Sequence, residues 1–136
     1  MKQHEKDLLI REMCARIPTV LICSIYREDD EGIGWRDAEC KGFFQNGDSY
    51  EFYFENVIAV DNVEHVIPYL RPMFDITEEE SKELALLQVN FYTNGWLYPI
   101  AATAMIEWLN SHHFDYVGLI EKGLALKAKE NMYKIK

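Results

Sequence analysis

A short segment around Asn46-Gly47 constrains the fold of this 136-residue chain more than any other part of the sequence. Asn-Gly is a strong hairpin signal where it separates two strand-forming runs, because both residues tolerate positive φ. Here it separates residues 38–44 from residues 48–54, and both runs are rich in aromatic side chains. The sequence therefore predicts a two-stranded antiparallel hairpin.

Two registers are open for this hairpin. A two-residue Asn46-Gly47 turn pairs Cys40 with Tyr53 and mixes polar and apolar side chains on each face. A three-residue loop at 45–47 pairs Cys40 with Phe52 instead, and it makes one face wholly apolar. We predict the three-residue loop for that reason.

The N-terminal third contains a helix signal, a strand signal and an acidic segment. Residues 2–17 place apolar side chains at helical spacing, and Pro18 ends that pattern. Residues 19–26 are β-branched and almost entirely apolar, which indicates a strand near the middle of a sheet. Residues 27–36 include the acidic stretch 28–31, and we expect an exposed loop there.

The C-terminal half contains three signals for the start of a helix. Thr77 and Glu80 form a capping box for a helix that runs to about Val89. Pro99 suits the first turn of a second helix, whose apolar stripe we expect to pack on the core. Asp115 can cap a short third helix.

These elements define the expected fold class. Residues 56–60 and 63–67 add two short strands, and the sheet should end in the proline-containing stretch 68–72. With 49% apolar residues, one core suffices for a chain of this length. We predict a single α+β domain over residues 1–136, in which an N-terminal helix and two or three C-terminal helices pack on a small antiparallel sheet of about four strands.

The charge balance limits the partners that we expect. The formal net charge is −9, from 23 acidic and 14 basic residues, whereas binding to nucleic acid or to anionic membranes uses clustered Lys and Arg. Direct nucleic-acid binding and membrane binding are therefore not expected. The N-terminus lacks the apolar stretch of a signal peptide, and three cysteines without CxxC spacing fit reduced thiols, so we expect a cytoplasmic protein.

Several phrases in the C-terminal half resemble a known group of sequences. They are PYLRPM at residues 68–73, TEEE at 77–80, HFD at 113–115 and GLIEKGLA at 118–125. Over roughly residues 65–130 the chain resembles uncharacterised short proteins of gut anaerobic bacteria, their phages and mobile elements. That group has no known activity, so the resemblance implies an accessory protein of a mobile element or phage-like locus and no site residues.

The one cluster of metal-competent side chains is His112, His113 and Asp115, to which Glu107 or Glu121 could add an oxygen ligand. The alternative is that the histidines sit at a helix C-terminus, where imidazolium complements the dipole. We favour this second interpretation. The sequence contains no P-loop, Gly-x-Ser-x-Gly or Gly-x-Gly-x-x-Gly motif, and we expect no cofactor.

Three further residues are candidates for interaction. Arg71 is held in an extended stretch between two prolines, and it can anchor a carboxylate such as Asp75 or Glu78 or else recognise a partner. Phe43 and Tyr53 are expected on the outer face of the hairpin, where a second copy of the chain could bury them.

Three functional hypotheses follow from these residues. The first is a non-enzymatic accessory or protein-interaction domain, because no catalytic set is evident. The second is a metal-dependent enzyme built on His112, His113 and Asp115. The third is an acidic decoy that mimics DNA, which requires a two-row stripe of carboxylates.

Overall fold

The computed structural model describes residues 1–29, 32–55, 58–93 and 98–133, which form three helices and seven strands. The helices are α1 (Gln3–Arg16), α2 (Glu78–Thr93) and α3 (Tyr98–Ser111). The strands are β1 (Leu21–Asp29), β2 (Gly32–Asn46), β3 (Ser49–Phe54), β4 (Ile58–Val60), β5 (Val66–Pro72), β6 (Phe114–Asp115) and β7 (Leu126–Lys127).

The sheet has the strand order β4-β3-β2-β1-β5-β6, and β7 pairs with β5 off this path. The first five strands pair antiparallel, whereas β6 and β7 both run parallel to β5. The predicted α+β class is confirmed, but the small antiparallel sheet of about four strands is wrong. Two-residue strands such as β6 and β7 are too short to show a period of two in the sequence.

Strand β1 lies near the middle of the sheet, as predicted, because β2 and β5 pair with it. The exposed loop predicted over residues 27–36 is wrong for residues 27–29 and 32–36, which belong to strands, whereas residues 30 and 31 lie outside the described residues. The strands β1 and β2 stay paired as far as Asp29 opposite Gly32, and Tyr26 faces Trp35 across them. Ile33 and Trp35 on this two-stranded extension are exposed, so the described part of the extension can be as polar in sequence as a loop.

The hairpin between β2 and β3 is confirmed, but both registers considered for it are wrong. Asn46 pairs with Ser49, so the turn has two central residues, Gly47 and Asp48. Gly47 has φ +64° at the first of these positions, where a type II′ turn prefers glycine. The turn therefore places Gly47 at its first central position. Its two central residues are 47 and 48, one residue later than the 46–47 turn that the Asn-Gly signal predicts.

A β-bulge between Cys40 and Gly42 changes which side chains of β2 face the core. An extra residue in one strand reverses the alternation of faces beyond it. Phe43 consequently pairs with Phe52 and packs against the core, not on the outer face as predicted. Phe44 takes the outer position and is 57% exposed.

The core lies between α1 and one face of the sheet. Leu9 and Met13 of α1 pack with Leu21, Cys23 and Ile25 of β1 in one cluster, and all five are buried. The helix spacing predicted for residues 2–17 is what brings these two α1 side chains to the same face.

The segment after β6 forms turns instead of the short helix predicted from Asp115 onward. Its glycine Gly123 does adopt a left-handed conformation, with φ +75°. Among the described helices, none is long and apolar enough to cross a membrane.

Candidate interaction site

Arg71, at the end of β5, binds Glu80 in the first turn of α2. Its Nη1 and Nη2 donate to the two carboxylate oxygens at 2.7 and 2.6 Å. Burial opposes ionisation of Glu80, but the Arg71 hydrogen bonds and the Thr77 backbone N–H outweigh it and lower the pKa to about 2. Arg71 does anchor a carboxylate, although it is neither Asp75 nor Glu78, the two acids predicted for it.

Phe114 of β6 contacts two arginines, the buried Arg16 and the largely buried Arg71. The guanidinium of Arg71 lies 4.3 Å from its ring centroid, and Trp108 stacks on the same ring at 5.8 Å. Its carbonyl oxygen accepts a 2.8 Å hydrogen bond from Nη2 of Arg16, whose Nη1 binds the Glu12 carboxylate at 2.9 Å. Through its backbone carbonyl and its ring, this one residue connects α1, α3 and β5.

His113 is buried in a left-handed conformation, with φ +63°. Its ring stacks on Tyr133 at a centroid separation of 3.7 Å. Burial, followed by the positive charges of Arg16 and Arg71, lowers the pKa of His113 to about 4. His113 is therefore neutral at pH 7, and its Nδ1 is buried without a hydrogen-bond partner among the described residues.

The other two residues of the predicted metal cluster face different neighbours. His112 has Nδ1 2.8 Å from the Trp108 carbonyl oxygen, at the end of α3. The Asp115 carboxylate accepts three backbone N–H groups, which belong to Gly118, Leu119 and Ile120. Within the described part of the chain, no group of three His, Cys, Asp or Glu side chains is placed to hold a metal ion.

Tyr133 fills the place where β1 and β5 separate. The ladder between these strands ends at Cys23 opposite Pro68. One residue further on, the Tyr133 hydroxyl shares its one proton between the carbonyl oxygens of Tyr69 (2.8 Å) and Ile22 (3.2 Å), and it accepts from the Ile22 N–H at 2.9 Å. Nothing in the local sequence marks this residue, which lies far along the chain from both strands.

The predicted outer face of the β2–β3 hairpin is only partly available. Tyr53 is half-buried opposite Gly42, and its hydroxyl donates to the Glu51 carboxylate at 2.6 Å. Phe44 is the aromatic side chain that is most exposed on this hairpin.

An open groove of about 510 Å³ lies beside β6. Phe74 at its rim is 79% exposed, and the Nζ of Lys127 lies 5.5 Å from the Phe74 ring centroid. The Asp115 carboxylate in the wall of this groove accepts hydrogen bonds from backbone N–H groups. The remaining lining residues are Pro72, Met73, Tyr116, Val117, Gly118, Ile120 and Glu121.

Helices α2 and α3 pack on each other as an antiparallel pair, which we call the α2–α3 hairpin. Its polar anchors to the rest of the domain lie at one end, where Glu80 binds Arg71 and Asn110 accepts from the Tyr116 hydroxyl. Nearby, Nε1 of Trp108 donates to the Glu83 carboxylate at 3.0 Å and so aligns the two helices.

Beyond these anchors the hairpin is weakly covered. None of the described side chains at 81–89 or 102–109 is fully buried. Leu86 is 68% exposed and Ile106 is 47% exposed, one turn or less beyond the Glu83–Trp108 contact on their respective helices. The packing on the core that we predicted for the second C-terminal helix is confirmed at the C-terminal end of α3, where Trp108 stacks on the buried Phe114. The rest of α3 packs mainly on α2.

The sequence did contain a signal for this surface. Residues 84–93 and 98–106 contain no charged side chain, a pattern that indicates burial of more than one face of each helix. Comparison of the chain with protein-family models, with curated proteins and with solved structures finds no match.

Proposed function

We propose that this chain is a non-enzymatic interaction domain that binds a protein partner through the α2–α3 hairpin. The observation that carries the proposal is the exposure of Leu86 and Ile106 on helices whose described side chains, beyond the anchored end, include none that is fully buried. Apolar side chains gathered on one projecting element are typical of a surface that another molecule covers.

A partner that covers the exposed apolar side chains of this hairpin gains binding free energy. Removing apolar surface from water stabilises a complex by roughly 25 cal/mol per Å², so a few leucine-sized side chains contribute several kcal/mol. In a helical hairpin, a helix with two apolar faces packs one face against the other helix, and its second apolar face stays exposed. The second face is the proposed binding surface.

The placement of the reactive side chains also favours a non-catalytic function. Arg71 and Asp115 make their hydrogen bonds within the domain, and His113 is buried against Tyr133. Burial raises the pKa of the Cys40 thiol to about 11, which makes it a poor nucleophile at neutral pH. These groups support the structure around the hairpin base.

The resemblance of residues 65–130 to short proteins of phages and mobile elements supports an accessory setting for this binding. The acidic-decoy alternative is less favoured, because Glu12, Glu80 and Asp115 are buried and cannot contribute to a carboxylate surface.

The proposal can be tested by site-specific photo-cross-linking in cells. A photoreactive residue replacing Leu86 should give discrete protein adducts, whereas the same residue replacing Ile33, which is equally exposed at 68% on the β1–β2 extension, should not. The added substitution Ile106→Glu should abolish the adducts from position 86. Equal labelling from both positions, or adducts that persist with Ile106→Glu, would contradict the proposal, as would specific turnover in a broad hydrolase panel.

A further inference from the structure

We infer that the partner of the α2–α3 hairpin is a second copy of this chain, so that two hairpins form a four-helix bundle. The inference rests on the proposed function and adds the identity of the partner to it.

The charge distribution favours self-association at this surface. Residues 84–93 of α2 and 98–106 of α3 contain no Asp, Glu, Lys, Arg or His, although 27% of the whole chain is charged. Two copies with a net charge of −9 repel each other through most of their surfaces. An uncharged surface avoids that repulsion, and it matches an equally uncharged surface better than it matches a charged partner.

The geometry of the hairpin suits a symmetric bundle. Helix α2 has 16 residues and is therefore about 24 Å long, or roughly four turns. Two antiparallel helical pairs of this length can pack face to face around a two-fold axis. In the proposed bundle the exposed Leu86 and Ile106 of each copy lie in the shared core. The apolar residues that α2 and α3 cannot bury between themselves are then covered.

A lipid surface fits the hairpin less well. Helices that lie in a membrane interface have Lys and Arg along their polar face. The charged residues of α2 are three glutamates at 78–80, Lys82 and Glu83, and α3 contributes only Glu107. This acidic balance disfavours anionic headgroups.

Sedimentation equilibrium of the purified full chain tests the inference. The native chain should have twice the 16.0 kDa chain mass at micromolar concentration. Leu86→Glu and Ile106→Glu should each lower the mass to that of a single chain, because every dimer would bury two new charges. Both positions are exposed in the single chain, so circular dichroism should be unchanged. The thermal midpoint should fall only by the stabilisation that dimer formation adds, and it should then no longer depend on protein concentration. The matched control Ile33→Glu adds the same charge elsewhere and should leave the dimer intact.

A native chain with the mass of one copy throughout this concentration range would overturn the inference, as would an equal loss of mass with Ile33→Glu. If such a monomer still gives adducts from position 86 that Ile106→Glu abolishes, the interaction domain stands and its partner is a different protein. If the monomer instead floats with phosphatidylcholine vesicles and Leu86→Glu prevents this, the surface binds lipid and both proposals fail.

Discussion

Arg71 and Glu80 form a two-pronged ion pair that fastens the first turn of α2 to the end of β5, with N–O distances of 2.7 and 2.6 Å. Both side chains are largely buried, so the pair is shielded from water and salt. The same arginine lies over the Phe114 ring of β6. One residue thus connects the base of the α2–α3 hairpin to two strands of the sheet.

We expect Arg71→Ala to destabilise the domain by about 3 to 5 kcal/mol, because it leaves the Glu80 carboxylate buried without its counter-charge. Arg71→Lys should cost less but remain measurable, since an ammonium cannot make the two parallel hydrogen bonds. Urea unfolding followed by fluorescence measures both changes. The matched control is Arg11→Ala, which removes a 71% exposed arginine beside Glu12 and should cost under about 1 kcal/mol. Equal costs for the two alanine variants would show that Arg71 does not anchor the hairpin.

His113 should make the domain less stable in mild acid. Its pKa falls from 6.5 to about 4 on folding, so the unfolded chain binds a proton more readily between these values. The free energy of unfolding is therefore unaffected by His113 above pH 6.5, and it decreases by up to about 3 kcal/mol as the pH falls towards 4. Unfolding free energies measured at pH 7 and pH 4.5 should therefore differ clearly in the native protein.

The variant His113→Asn should flatten that pH dependence, even though it also loses the stacking on Tyr133. Asparagine tolerates positive φ better than most residues, so the left-handed conformation at this position can persist. His4→Asn, at an exposed position in α1, should leave the pH dependence as it is in the native chain. If His113→Asn keeps the full pH dependence between 6.5 and 4, then another group is responsible for it.

Tyr133→Phe should destabilise the domain by roughly 1 to 3 kcal/mol, because it removes the hydrogen-bond partner of the Ile22 N–H at the split between β1 and β5. Amide hydrogen exchange at Ile22 should accelerate in the variant. The control Tyr53→Phe removes a hydroxyl that binds only the side chain of Glu51 among its described contacts, and it should cost under about 0.5 kcal/mol. Unchanged exchange at Ile22 would mean that the hydroxyl does not hold the strands.

The parts of the fold that the sequence predicted are those set by neighbouring residues. The capping box is one example, because the Glu80 N–H donates to the Thr77 hydroxyl at 3.1 Å, and Thr77 and Glu80 are three residues apart. The parallel strands β6 and β7 depend instead on hydrogen bonds between distant segments, such as the one from the Ala128 N–H to the Leu70 carbonyl. Such pairings have no local period that a sequence pattern can show.

The same distinction holds for the site. The two flanking prolines correctly indicated that Arg71 is held in a fixed position. Its carboxylate partner was predicted as Asp75 or Glu78 because these residues are near in sequence. The capping box instead orients Glu80 towards Arg71. The role of Tyr133 was missed because its partner Ile22 is 111 residues away. The hairpin surface was missed because the apolar stripe of α3 has the same pattern whether it faces a core or a partner.

Gly47 should tolerate substitution much less well than Gly42, although both glycines lie in the β2–β3 hairpin. Gly47 has φ +64°, a conformation that costs a residue with a Cβ about 1 kcal/mol or more, and there is open space around it. Gly42 has an ordinary φ and equally open surroundings, so Gly42→Ala should be neutral or slightly stabilising. Thermal unfolding followed by circular dichroism should give a lower midpoint for Gly47→Ala only. Similar midpoints for the two variants would contradict the left-handed conformation of Gly47.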